Sequence, residues 1–130
     1  VIVDTSAIVA IINGEPEAAA FVAALTGATA VRMSAASYVE AGAVIDSRGD
    51  PVLSRQFDDL MTAAAIGIAP VDREQALVAR TAYRDFGRGS GHPARLNYGD
   101  CFSYALARVT GEPLLFKGAD FGQTDLVAAR

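Results

Sequence analysis

Short runs of branched apolar residues alternate along this chain with longer stretches in which apolar positions recur at helical spacing. This alternation narrows the possible folds more than any other feature. The strand candidates are residues 1–3, "AVRMS" at 30–34, "IGIAPV" at 66–71 and "PLLF" at 113–116, with "DLVAA" at 125–129 a weak final strand or helix. Helix signals fill the gaps. An apolar helical stretch follows Asp4, and "GEPEAAAFVAALTG" sets Glu15 and Pro16 at a helix start with Gly27 just past its end. "SAASYVEAGAVIDSRG" has Ser34 as N-cap and Gly49 as stop, and Asp50-Pro51 opens a helix through about Ala65. "DREQALVARTAYRDFG" is amphipathic and ends at Gly87, and "NYGDCFSYALARVTG" is the last strong helix. Between those two, "RGSGHPAR" is too rich in Gly and Pro to be regular. Parallel strands need crossover connections, which lay helices on both faces of the sheet. The expectation is an α/β fold, a three-layer α/β/α sandwich with a central parallel sheet, built by residues 1–130 as one domain.

Composition bounds the function classes. With 52% hydrophobic and 20% charged residues the chain can bury a sizeable core without a disulfide or metal staple. Cys101 is the only cysteine, so no bridge closes within the chain, which suits a reducing cytoplasmic setting. The longest apolar stretch, "AAAIGIAPV", is about half of what a bilayer crossing needs, and no membrane role is expected. A net charge of −4 argues against non-specific attraction to nucleic acid. A polyanionic ligand would have to meet a local basic patch or bound cations.

Three carboxylates stand in apolar company. Asp4 lies at the carboxyl end of the first strand, where open α/β sheets bind ligands, and it is equally placed to cap the following helix. Between Ala35 and Ile45 only Ser37 and Glu40 are polar, the pattern of a helix buried on every side. An ionised carboxylate there needs a cation, hydrogen-bond donors or an arginine partner. From Tyr98 to Val109 the polar residues are Asp100, Ser103 and Arg108, and helical spacing lines up Asn97, Asp100, Ser103 and Tyr104 along one side. Asn97 and Asp100 also fit a capping box. A fourth acid, Asp120 in "FKGADFG", follows the last clear strand, and Asp125 reads as an ordinary loop residue.

Four acids in one crevice would repel each other and raise each other's pKa values unless positive charge lay among them. All-oxygen donors suit Mg²⁺, with Mn²⁺ as substitute, ions that keep several waters and bridge protein to phosphate oxygens. Zinc is disfavoured, since Cys101 and His92 alone make no ligand set. Asp4, Glu40, Asp100 and Asp120 are therefore both the candidate catalytic residues and the candidate metal ligands, in a site that polarises a phosphodiester and activates water.

The motifs "VIVDTSA", "SAASYVEAG", "LNYGDCFSYALA" and "PLLFKGADF", in this order and spacing, resemble those of PIN-domain ribonucleases, and more narrowly the VapC-type toxins of bacterial toxin–antitoxin modules. The resemblance covers essentially the whole chain. It implies a compact PIN-like α/β/α sandwich and Mg²⁺- or Mn²⁺-dependent endonuclease cleavage of RNA. It also implies a homodimer, and neutralisation by a cognate VapB-type antitoxin that covers the site. Residue by residue, it maps the strand-end acid to Asp4, the mid-helix acid to Glu40, the helix-start acid to Asp100 and the later acid to Asp120. Many members carry Thr or Ser before that last acid, where this chain has "FKGAD".

Other residues carry weaker signals. His92 can be a proton shuttle but reads better as an exposed loop residue. Arg84, Arg88 and Arg95 can position phosphates or serve solubility. Lys117 stands beside Asp120 in sequence and can neutralise the acids. Cys101 in an apolar helix reads as inert packing. Thr5 and Ser6 can hydrogen-bond Asp4 or cap its helix, and Phe57, Phe86, Phe102 and Tyr104 read as core or dimer surface. Two other functional classes stay open on the residues alone. One is a receiver-like phosphoacceptor domain, which would pair a strand-end Asp with a Lys such as Lys117. The other is a non-catalytic module that keeps the fold only to bind a partner.

Overall fold

The structure, a computed structural model, describes residues 1–129. Its strands are β1 (Ile2–Val3), β2 (Val31–Ser34), β3 (Ile66–Ala69) and β4 (Leu114–Leu115). Its helices are α1 (Thr5–Ile12), α2 (Ala18–Gly27), α3 (Ala35–Asp46), α4 (Pro51–Ala63), α5 (Arg73–Phe86) and α6 (Asp100–Thr110), with a 3-10 turn at Phe121–Gln123. The sheet runs β3-β2-β1-β4 with every pairing parallel, Ile2 lying opposite both Arg32 and Leu114. The expected α/β/α sandwich is thus the fold the chain adopts.

Period-two alternation explains the layers, because successive strand side chains point to opposite faces. Ile2 and Leu114 join Leu96, Leu106 and Ala79 in the core under α5 and α6. Their neighbours Val3 and Leu115 join Ile8, Leu25, Met33, Ile45 and Phe57 in the core under α1 to α4. Burying such a side chain fully is worth roughly 1.5–3 kcal/mol, so two-sided burial of β1 anchors the sheet at its centre.

The winding of the chain locates a crevice. From β1 it steps to β2 and β3 with α1 to α4 on one face, then returns along the other face through α5 and α6 to β4, on the far side of β1. The direction of winding therefore reverses between β1 and β4, and a ligand crevice forms outside strand carboxyl ends at such a reversal. Asp4 follows β1 directly, and the segment from Phe116 to Asp120 follows β4.

Helix starts follow the sequence signals: Asp4, Ser34, Asp50 and Asp72 are side-chain N-caps, and Pro51 opens α4. Gly111 ends α6 with φ 70°, a left-handed conformation that glycine adopts without penalty. Some boundaries differ from expectation. Helix α2 begins at Ala18, not at Glu15, and Gly27 is its last residue. "DLVAA" forms neither a full strand nor a helix but a single parallel bridge, Ala128 to Leu114, on the outer edge of β4. Helix α6 starts at Asp100, leaving Tyr98 in a turn and 76% exposed. Helix α3 is not buried on every side. Ser37, Ala41 and Ile45 face the interior while Val39 is 67% exposed, because the layer above the sheet covers one flank of the helix only.

Candidate functional site

Asp4 stands where β1 ends and α1 begins, in extended backbone conformation. Its Oδ2 accepts the Ser6 N–H at 2.9 Å, so it does cap α1. Its Oδ1 accepts the Ser103 hydroxyl at 2.5 Å, and the residue is only 2% exposed. Ser103 Oγ also lies 2.9 Å from Ser37 Oγ on α3, and Thr5 Oγ1 donates to the Ser37 carbonyl at 3.0 Å. A hydroxyl has one proton, and Ser103 gives its own to Asp4, so Ser37 donates to Ser103. The result is a directed chain from Ser37 through Ser103 to Asp4, buried where α3, α6 and the end of β1 meet. Because each link is satisfied, these polar groups are tolerable in a dry interior.

Asp100 opens α6 and makes the reciprocal pair expected of a capping box: its N–H donates to Asn97 Oδ1 at 2.8 Å, and its Oδ2 accepts the Asn97 N–H at 2.9 Å. Capping holds one carboxylate oxygen and leaves Oδ1 without a protein donor among the described residues. The carboxyl is pushed up to about 6. Burial is the main cause and the negative charges of Asp4, Asp120 and Glu40 add to it, while the Asn97 backbone bond opposes.

Glu40, half-buried on α3, lies against the turn that leads into Asp100. A Cβ added at Gly99 would sit 2.2 Å from Glu40 Oε2, so this approach exists only because residue 99 is glycine. The arginine partner that would make Glu40 a structural ion pair is not found among the described residues, nor do Asp4, Asp100 or Asp120 form an ion pair there. Asp120 is exposed at the start of the 3-10 turn, makes no capping bond, and reaches the others through its field at Asp100.

The crevice therefore gathers Asp4, Glu40 and Asp100, with Asp120 at its rim. Among the described residues, no three His, Cys, Asp or Glu side chains stand close enough to enclose an ion by themselves. Mg²⁺ is commonly held by one or two carboxylates with water completing its shell, so a full protein cage is not required. The carboxylates of Asp4, Glu40, Asp100 and Asp120 offer oxygen donors, and among the described residues these fit a hard divalent cation.

Several expectations need correction. Lys117 does not neutralise Asp120. Its ammonium bonds Glu15 at 2.8 Å and Glu17 at 3.2 Å, two carboxylates ahead of α2 that together outcompete one exposed aspartate. Its backbone N–H donates to Ser6 Oγ at 3.0 Å, tying the segment after β4 to the start of α1. His92 is half-buried, not exposed: its ring packs edge-on against Phe86, and Nδ1 accepts the Ala94 N–H. Asp125 accepts the Tyr104 hydroxyl at 2.7 Å and so fastens the C-terminal segment to α6. Cys101 is buried, its thiol pushed up to about 11 by burial and then by Asp100, the mark of inert packing. Phe57 and Tyr104 are core residues, whereas Phe102 lies partly open beside Tyr98.

Ser37 and Ser103 are residues that sequence reasoning noticed without giving a role, and Gly99 is one it passed over. The available signal was two serines on otherwise apolar helices. What was hidden is that they share a partner, since Ser103 and Asp4 are ninety-nine positions apart.

Known proteins resemble this chain in sequence and in fold. The PIN domain family matches residues 1–126. Ribonuclease VapC28 of Mycobacterium tuberculosis is 58% identical over 128 residues, 98% of this chain and 96% of that protein. Ribonuclease VapC42 of the same species is 57% identical over 125 residues, 96% and 95% of the two chains. Among solved structures, the sarcin-ricin loop cleaving toxin VapC20 of M. tuberculosis superposes with a TM-score of 0.75 at 16% identity, covering 99% of this chain and 98% of that one. A toxin–antitoxin complex from Klebsiella pneumoniae gives 0.72 at 15%, covering 98% and 94%. At such identities the structural likeness speaks for the fold.

Proposed function

The chain belongs to the PIN-domain family, among its VapC ribonucleases, and on that footing we propose that it is a divalent-metal-dependent endoribonuclease, the toxin of a toxin–antitoxin pair. The observation that carries the reading is Asp100: a carboxyl raised to about 6 by burial and three neighbouring acids, with no protein cation paired to any of them among the described residues. A site with that charge balance is built for a cation from solution. Asp4 and Asp100 would hold it, with Glu40 and Asp120 completing the surrounding negative charge. Mg²⁺ is the ion of choice and Mn²⁺ its substitute. When bound, the ion supplies charge neutralisation, orientation of the scissile phosphate and a lowered pKa for the attacking water.

The chain's own residues do the rest. Ser103 and the Ser6 N–H fix the Asp4 carboxylate in one orientation, which preorganises it. The Asn97 cap fixes Asp100 by one oxygen and leaves the other for the ligand. Gly99 lets Glu40 approach. The substrate is RNA in the cytoplasm, the inhibitor a cognate VapB-type antitoxin, and the active assembly a homodimer. Family membership supports each of these, and no helix of the described residues is long and apolar enough to cross a membrane. The receiver-like alternative loses its support, because Lys117 is engaged with Glu15 and Glu17.

The test is cleavage of RNA by the purified protein with Mg²⁺ and with a chelator, followed by sequencing of new 5′ ends. Cleavage that needs the ion and is lost in Asp4→Ala and Asp100→Ala is expected. Full cleavage by either folded variant contradicts the reading.

A further inference from the structure

We propose that the groove between α5 and the start of α6 stacks an unpaired base of single-stranded RNA beside the bond that is cut, an inference that rests on the ribonuclease reading above. The groove, about 430 Å³, is lined by Arg80 and Tyr83 of α5 and by Tyr98, Cys101 and Phe102 around the α6 start. Tyr98 is 76% exposed, yet its ring is held edge-on against Phe102, centroids 5.0 Å apart at 80°. A large aromatic both exposed and fixed in place is a ready stacking surface, since little freedom is lost when a base lies on it.

Two further observations select nucleic acid as the occupant. The first is proximity: Tyr98 adjoins Gly99, whose backbone lies against Glu40, so a base in the groove and a phosphate at the acids are within reach of one RNA strand. The second is charge. Residues 73–95 carry five arginines against Glu74 and Asp85, in a chain whose net charge is −4. Arg73, Leu77, Arg80 and Arg84 recur at helical spacing along the exposed side of α5, and Arg80 forms no ion pair among the described residues. An aromatic face beside a free guanidinium group suits single-stranded RNA.

The experiment compares cleavage of a single-stranded RNA oligonucleotide by wild type, Tyr98→Ala, Tyr98→Phe and Arg80→Ala, on intact substrate and on a series with one abasic site placed at each position in turn. Loss of one base stack is worth about tenfold. Tyr98→Ala is expected to raise KM by about that factor with kcat nearly unchanged. Tyr98→Phe should restore it, and Arg80→Ala should raise KM in a salt-dependent way. One abasic position near the cut should penalise wild type but not Tyr98→Ala. An unchanged KM in folded Tyr98→Ala, or an equal abasic penalty in both proteins, overturns the groove and leaves the ribonuclease reading standing. A wild type that cuts no RNA overturns both. Loss of the dimer in Tyr98→Ala, seen by light scattering, would assign the groove to a second copy instead.

Discussion

Ser103 Oγ donates to Asp4 Oδ1 at 2.5 Å, joining the core helix α6 to the end of the central strand. The bond is buried, so removing the donor strands a carboxylate oxygen and the Ser37 hydroxyl together. Ser103→Ala should cost about 1–3 kcal/mol. Ser37→Ala should cost less, about 0.5–1.5 kcal/mol, because Asp4 keeps its donor. Urea denaturation of the metal-free variants measures both.

Gly99→Ala tests the approach of Glu40. The backbone at residue 99 is already helical, φ −63° and ψ −38°, so alanine suits the conformation and the fold should survive. The added Cβ would sit 2.2 Å from Glu40 Oε2, and the side chain must move away. Displacing a reacting group by about an ångström costs on the order of a hundredfold in rate. RNA cleavage should fall by that order while the thermal midpoint stays near wild type.

Asp100 gives the pH dependence. Its carboxyl is raised from 3.8 to about 6, so between those values the folded chain binds more protons than the unfolded one. Metal-free stability should therefore fall as pH rises through that window and be lowest above it. Asp100→Asn keeps an oxygen to accept the Asn97 N–H but carries no charge, so it should flatten the dependence. Urea midpoints measured across the window, with a carbon NMR titration of the Asp100 carboxyl, decide the matter.

Tyr104→Phe tests the fastening of the C-terminal segment to α6. It removes the 2.7 Å bond to Asp125 and should cost about 1 kcal/mol, read by chemical denaturation, with cleavage by the folded protein unaltered.

Much of this was legible from the chain because its signals are local. Asp4 betrays itself by following three branched apolar residues, and Asp100 by opening an apolar helix three residues after Asn97. The parallel sheet with helices on both faces follows from short apolar runs alternating with helices, whereas the strand order β3-β2-β1-β4 is set by tertiary packing. Relationships set by tertiary packing were not legible. Lys117 sits three residues from Asp120 but pairs with Glu15 and Glu17, because the segment ahead of α2 lies beside the segment after β4. Helix α3 reads as buried throughout because its exposed flank, Val39 included, is apolar too. Gly99 looks like an ordinary turn residue until Glu40 is seen against it.

Addition of Mn²⁺ to the isotopically labelled protein, followed by amide NMR, asks most directly whether the gathered acids receive a cation. Paramagnetic broadening centred on the amides near Asp4, Glu40 and Asp100, and abolished in an Asp4→Asn/Asp100→Asn double variant that still folds, is expected. Broadening that is absent, or that centres on another surface and survives the double substitution, would contradict it.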